Sequence, residues 1–190
     1  MEKKVINVYT ESNPNPNSLK FCVEFLLLPE GQSVDFPDAD SAKTSPLATD
    51  LFMFSNVKRV FISANFITIT KDEASNWDDI IPILKAFIKG YLEEGKPLFY
   101  DKNTASSNTS EEESEIVVRI KTLLDEYVRP AVEQDGGAIT FDSFNEGLVK
   151  VHLQGSCSGC PSSTVTLKQG IENLLTRLVP EVKSVEAVGV

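Results

Sequence analysis

The sequence predicts an α+β protein of two small α/β-layer domains joined by a flexible polar linker. Three observations lead there. Residues 101–110 hold almost nothing apolar, so they cannot offset the entropy of ordering a backbone and read as a tether. Strand-type alternation and helix-type periodicity both occur on each side of that tether. The C-terminal part follows the order α-β-β-α-β. The expected division is therefore a first domain over 1–100, a linker over 101–110 and a second domain over 111–190.

In the first domain, strands are expected over 5–9 and 19–25. The second of these sets Leu19, Phe21, Val23 and Phe25 on one face, with Lys20, Cys22 and Glu24 on the other. Asn13, Pro14, Asn15, Pro16 and Asn17 lie between them, and prolines at these positions exclude a regular ladder. Ser45 followed by Pro46 is a helix cap with proline in the first turn, opening a short helix to about Phe54. A hairpin over 57–62 and 66–70 turns at Ala64 and Asn65. Trp77, Ile80, Ile81, Leu84, Phe87, Ile88 and Tyr91 mark the apolar face of a longer helix, with Asp78 and Asp79 at its start and Gly95 to stop it.

In the second domain, Ser110 to Glu113 fits a capping box. Ile116, Ile120, Leu123, Leu124 and Tyr127 form the apolar face of the helix that follows. Pro130 bends or restarts that helix, and Asp135, Gly136 and Gly137 end it. Strands over 138–144 and 148–153 flank the turn Asn145, Glu146 and Gly147. A helix carrying Leu167, Ile171, Leu174, Leu175 and Leu178 comes next, then Pro180 and a last strand over 182–188.

Charge and composition narrow the function. Acidic residues outnumber basic ones 28 to 18, a net charge of −10, and no basic block exists to pair with phosphates, so nucleic acid is excluded as an expected partner. No stretch reaches the ~18–20 apolar residues of a membrane span. The start, Met1-Glu2-Lys3-Lys4, resembles neither a signal nor a transit peptide, so a cytoplasmic protein is expected. Three cysteines and one histidine argue against a disulfide framework and against a conventional catalytic zinc site.

Chemistry concentrates in one segment, Gly155 to Thr164, which contains Cys157, Cys160 and then Pro161 between a strand and a helix. Two residues between thiols let both sulfurs face one ion or cluster, and the helix N-terminus favours the thiolate over a thiol whose ordinary pKa is about 8.5. Spacing alone leaves four readings open: an iron–sulfur site, a zinc site, a thiol–disulfide redox pair and a pair of packed thiols. Four thiolates are the norm for a cluster, and two chains related by a twofold axis would supply them. The remaining candidates have plainer explanations. Cys22 stands alone on a strand, His152 alternates toward the surface with Lys150, the 136–137 glycine pair lacks the ending of a P-loop, and Asp135 is a helix stop.

Arg129, Pro130 and Ala131, Gln134 to Gly137, Leu153 to Ser163 and Gly170 to Asn173 closely resemble the C-terminal domain of the Nfu (NifU-like) iron–sulfur scaffold family. Thr10 to Phe21, Ser45 to Ala48 and Phe66 to Lys71 resemble that family's N-terminal domain. The resemblance spans nearly the whole chain except the linker. One departure is Ala138, where the family often has an acidic residue; it leaves the thiols untouched. The resemblance implies a homodimer or larger homo-oligomer bridging a [4Fe–4S] cluster, with [2Fe–2S] as the alternative, through Cys157 and Cys160 of each chain. Upstream assembly proteins would supply the cluster and apo-proteins would receive it, with no membrane partner and no substrate turned over. A thiol–disulfide protein and a zinc-bridged adaptor dimer are the rival functions.

Overall fold

A computed structural model describes residues 5–100, 114–158 and 161–188, with backbone only at 161–164. The linker at 101–110, the capping box at 110–113 and Cys160 lie outside the described residues. Residue contacts group into two compact units, Met1–Ser106 and Ser107–Val190, each mixing sheet and helix.

Unit 1 is one five-stranded antiparallel sheet with helices on one face. Its strands are β1 (Val8–Ser12), β2 (Ser18–Val23), β3 (Val34–Phe36), β4 (Val57–Ile62) and β5 (Phe66–Lys71), in the order β1-β2-β5-β4-β3. A 3-10 turn (Ser41–Thr44) leads into α1 (Pro46–Leu51), and α2 spans Trp77–Glu93. Leu19, Phe21 and Val23 of β2 join Leu47, Leu51, Ile80, Leu84 and Ile88 in the core, as their alternation predicts. Ser45 caps α1 by accepting from the Ala48 N–H at 3.1 Å. Its hydroxyl also donates to the Leu98 carbonyl at 2.6 Å, which ties down the end of the unit.

The first strand lies three residues later than the sequence suggests. It is placed by its partner, because the antiparallel register pairs Val8 with Val23 and Ser12 with Leu19 across the Asn-Pro loop. That loop builds its own turns, since Asn13 Oδ1 accepts from the Asn15 N–H and Asn15 Oδ1 from the Asn17 N–H. Strand β3 was not expected. Three residues are too few to show alternation, and pairing with β4 forms it. The 3-10 turn takes up the chain just before α1, which ends at Leu51 rather than near Phe54. The second face of β2 is covered as well: Lys20 is buried, in an ion pair with Glu11 at 3.1 Å and over the Phe66 ring.

Unit 2 begins with α3 (Glu115–Leu123), capped by Ser114, whose Oγ accepts from the Val117 N–H at 3.4 Å. A π-helical turn (Leu124–Val128) follows, then α4 (Arg129–Gln134). The cause is Pro130, which has no N–H for the carbonyl four residues back. The Arg129 N–H instead reaches the Leu124 carbonyl, a five-residue step. That step re-phases the helix. Ile120, Leu124, Val128 and Val132 enter the core, while Tyr127, expected on the same face, is 55% exposed. Leu124→Ala should therefore cost about 2–5 kcal/mol, and Tyr127→Ala should stay within about 0.5 kcal/mol, as read from urea midpoints. The opposite ranking would mean the π turn is not formed.

Three strands complete the unit: β6 (Gly137–Asn145), β7 (Leu148–Gly155) and β8 (Ser184–Val188), in the order β6-β7-β8. Between β7 and β8 runs α5 (Pro161–Leu178). Strands β6 and β7 form the expected hairpin, with Glu146 and Gly147 at positive φ in the turn. β8 lies parallel to β7 because α5 crosses between them. Val149, Val151 and Leu153 from the sheet meet Ile171 and Leu175 from α5, and Val179 just after it, in one core.

Candidate functional site

Strand β7 ends at Gly155, whose φ of +67° turns the chain into Ser156, Cys157 and Ser158. The segment then runs through Cys160 to Pro161, the first residue of α5. The N-terminus of a helix of this length carries the positive end of its dipole, which favours the thiolate form of a cysteine placed beside it.

Cys157 is not at the surface. It is 3% exposed and belongs to the unit 2 core, with buried Ser156 and Ser158 on either side. Three contacts fasten the segment to the turn that ends α4. The Ser156 N–H donates to the Gly136 carbonyl at 3.3 Å, and the Ser156 hydroxyl donates to the Asp135 carbonyl. Gly137, paired with Gly155 across β6 and β7, lies under the sulfur. A Cβ at 137 would come within 2.9 Å of Cys157 Sγ and 2.5 Å of the Gln154 carbonyl oxygen. Ser158 N–H closes the local turn on the Gly155 carbonyl at 3.2 Å.

The residues weighed in the sequence divide accordingly. Asp135, Gly136 and Gly137 do stop a helix, with Gly136 at φ +80°. They also form the seat of Cys157, a role that sequence reasoning missed. The signal available was the second glycine: one residue at positive φ suffices to end a helix, so an adjacent second one asks for a close approach. His152 is partly exposed on β7, as expected, and its Nε2 stands 3.1 Å from Asp142 Oδ1, a partner across the hairpin.

Cys22 belongs to the other unit and is buried in β2. Burial, reinforced by the Glu11 carboxylate, pushes its thiol up to about 11. It is protonated at neutral pH, which makes it a poor metal ligand. Among the described residues no group of three or more His, Cys, Asp or Glu side chains converges on a metal position, and no helix is long and apolar enough to cross a membrane.

A soft thiol donor at a helix entrance, lying on glycine where a Cβ would not fit, suits an iron–sulfur group in donor chemistry. One chain offers only the Cys157 and Cys160 pair in this segment.

Comparison with known proteins bears on both units. Residues 8–95 match the model described as "Scaffold protein Nfu/NifU N terminal", and residues 120–186 match "NifU-like domain". The chain is 44% identical over 189 residues to the "NFU1 iron-sulfur cluster scaffold homolog, mitochondrial" of Drosophila willistoni, covering 99% of this chain and 65% of that protein. The protein of the same description from Drosophila sechellia is 45% identical over 182 residues, covering 95% of this chain and 64% of that one. The chain thus spans about two thirds of the length of these relatives. The solution NMR structure of a NifU-like protein from Saccharomyces cerevisiae is 27% identical, covering 54% of this chain and 92% of that one, with a TM-score of 0.48.

Proposed function

The chain belongs to the Nfu/NifU scaffold family, and from that premise we propose that it carries a [4Fe–4S] cluster between two copies and delivers it to apo-proteins. The observation that carries this reading is the Cys157 segment, a thiol on a glycine seat followed by Cys160 and the N-terminus of α5. Cys157 and Cys160 of each copy are the four thiolate ligands in this proposal. The cluster is cargo: it arrives from an assembly protein and leaves for an acceptor, and no substrate is turned over. A binuclear [2Fe–2S] cargo has the same ligand requirement.

Sharing between copies supplies a route to release. Separating the two chains halves the ligand set, so an acceptor offering its own thiolates competes with two protein ligands rather than four. The relatives above are named as mitochondrial, and immunolocalisation of the endogenous protein distinguishes a mitochondrial from a cytoplasmic site of action.

The test is anaerobic reconstitution with iron and sulfide, then incubation with an apo-acceptor. The proposal expects a brown protein whose iron and sulfide move to the acceptor. A colourless protein that retains zinc, or one that reduces insulin disulfides without metal, would overturn it.

A further inference from the structure

The π turn that re-phases the helix of unit 2 also borders a pocket. Between that turn and β6 lies a cavity of about 140 Å³. Leu124 and Ile139, both buried, and Phe141 give it apolar walls, while Lys121, Asp125 and Arg129 supply its charges. Turns of the π type are rare and concentrate at functional sites. The volume decides what class of ligand fits. A void of about 150 Å³ holds a benzene ring, whereas cofactor and drug-sized ligands need about 300–1,000 Å³. This pocket takes one side chain.

Charge selects which side chain. Among the described residues that line it, two are cations and one is a carboxylate, a local excess of one positive charge in a chain of net charge −10. Both cations are held in place. Arg129 Nε donates to Asp125 Oδ1 at 3.1 Å, and the Lys121 ammonium stands 5.3 Å from the centre of the Phe141 ring. The Asp125 side chain is 57% exposed against 30% for Arg129, so water screens the carboxylate more than the guanidinium. Position gives the pocket a use. Ile139 and Phe141 lie two and four residues along β6 from Gly137, the seat of Cys157, or about 7 and 13 Å away at the rise of a strand.

We propose that this pocket anchors an acidic side chain of a protein that exchanges cluster with this chain. The incoming carboxylate meets Lys121 and Arg129, and its methylene stem packs on Leu124 and Ile139. Because the chain as a whole is acidic, one local pair of cations fixes the register of a partner instead of attracting acids everywhere. The identity of the partner rests on the cluster-carrying role proposed above; the preference of the pocket for a carboxylate does not.

The experiment is a titration of the cluster-free, isotope-labelled full chain, read from amide chemical shifts at constant ionic strength. The probe is a short peptide blocked at both ends, with one glutamate among glycines and alanines. Saturable shifts are expected at Lys121, Leu124, Thr140 and Phe141, with a Kd on the order of 1–10 mM. The same peptide carrying glutamine should bind about tenfold more weakly, and Lys121→Gln should weaken the glutamate peptide about fivefold. Lys121→Arg keeps the charge and should bind as the wild type does. The comparison of the two peptides on the wild-type chain stands should Lys121→Gln fold poorly. Equal binding of the two peptides, or no saturable shift at the pocket, would overturn the proposal. So would acetate binding as tightly as the peptide, which marks a small-anion site, or pocket shifts that follow chain concentration alone, which mark a second copy as the occupant. The titration is made without cluster, so its failure is separate from failure of the ligand role, which iron binding by Cys157→Ser reads.

Discussion

Cys157→Ser should abolish stable cluster binding, leaving a colourless protein with iron and sulfide below about a tenth of the wild-type stoichiometry after anaerobic reconstitution. A serine hydroxyl is not ionised at neutral pH and is a hard donor, whereas iron–sulfur clusters are held by thiolates. In a twofold assembly each substitution also counts twice, so one changed codon removes two of four ligands. Cys160→Ser should behave alike. Cys22→Ser should bind as wild type, since that thiol lies in the other unit, buried in β2 and protonated with a pKa of about 11. The check is iron and acid-labile sulfide per chain beside the visible absorbance. An intact cluster in Cys157→Ser would contradict the ligand assignment.

Gly137→Ala should destabilise unit 2 by about 1–3 kcal/mol, the usual range for forcing a methyl into a packed position. The added Cβ would meet the Gln154 carbonyl oxygen at 2.5 Å and Cys157 Sγ at 2.9 Å. The first neighbour is backbone on the paired strand and cannot swing aside, so either β6 and β7 part or the sulfur is driven out. Gly170→Ala makes the contrast. Its Cβ would meet nothing within 4 Å inside α5, so the exchange should stabilise by about 0.5–1 kcal/mol through helix propensity. Urea midpoints of the two variants should move in opposite directions. A Gly137→Ala protein as stable as wild type would remove the glycine seat from the account.

Features carried by local pattern were legible in the sequence. Alternation in β2, the turn at Glu146 and Gly147, the Ser45 cap and the apolar face of α5 all depend on residues within a few positions of one another, and each stands in the structure. What depends on distant partners was not legible. The bounds of β1 follow from its register with β2, and β3 exists only because β4 pairs with it. Tyr127 shows the same limit over a shorter range. Pro130 was read as a bend, but only the structure shows that relief takes the form of a π turn that moves Val128 into the core.

The candidate site divides along the same line. The thiol spacing and the helix after it are local, and the residues around them lie within the match to the NifU-like domain. That Gly137 lies under Cys157 depends on the pairing of β6 with β7, which brings residues 137 and 155 together. A glycine pair read along the chain is therefore a helix stop, and read across the sheet it is the floor of the site. The burial of Cys157 was equally out of reach, because side-chain exposure in a loop is set by what packs on it.

Mass measurement of the intact complex after anaerobic reconstitution tests the central claim most directly, since it counts chains and cluster atoms together. The account predicts an assembly of two chains, or a multiple of two, with one [4Fe–4S] cluster per pair, and no cluster-bearing assembly when Cys157 or Cys160 is changed to Ser. A cluster held by a single chain, or dimers of unchanged mass that hold zinc in its place, would contradict it.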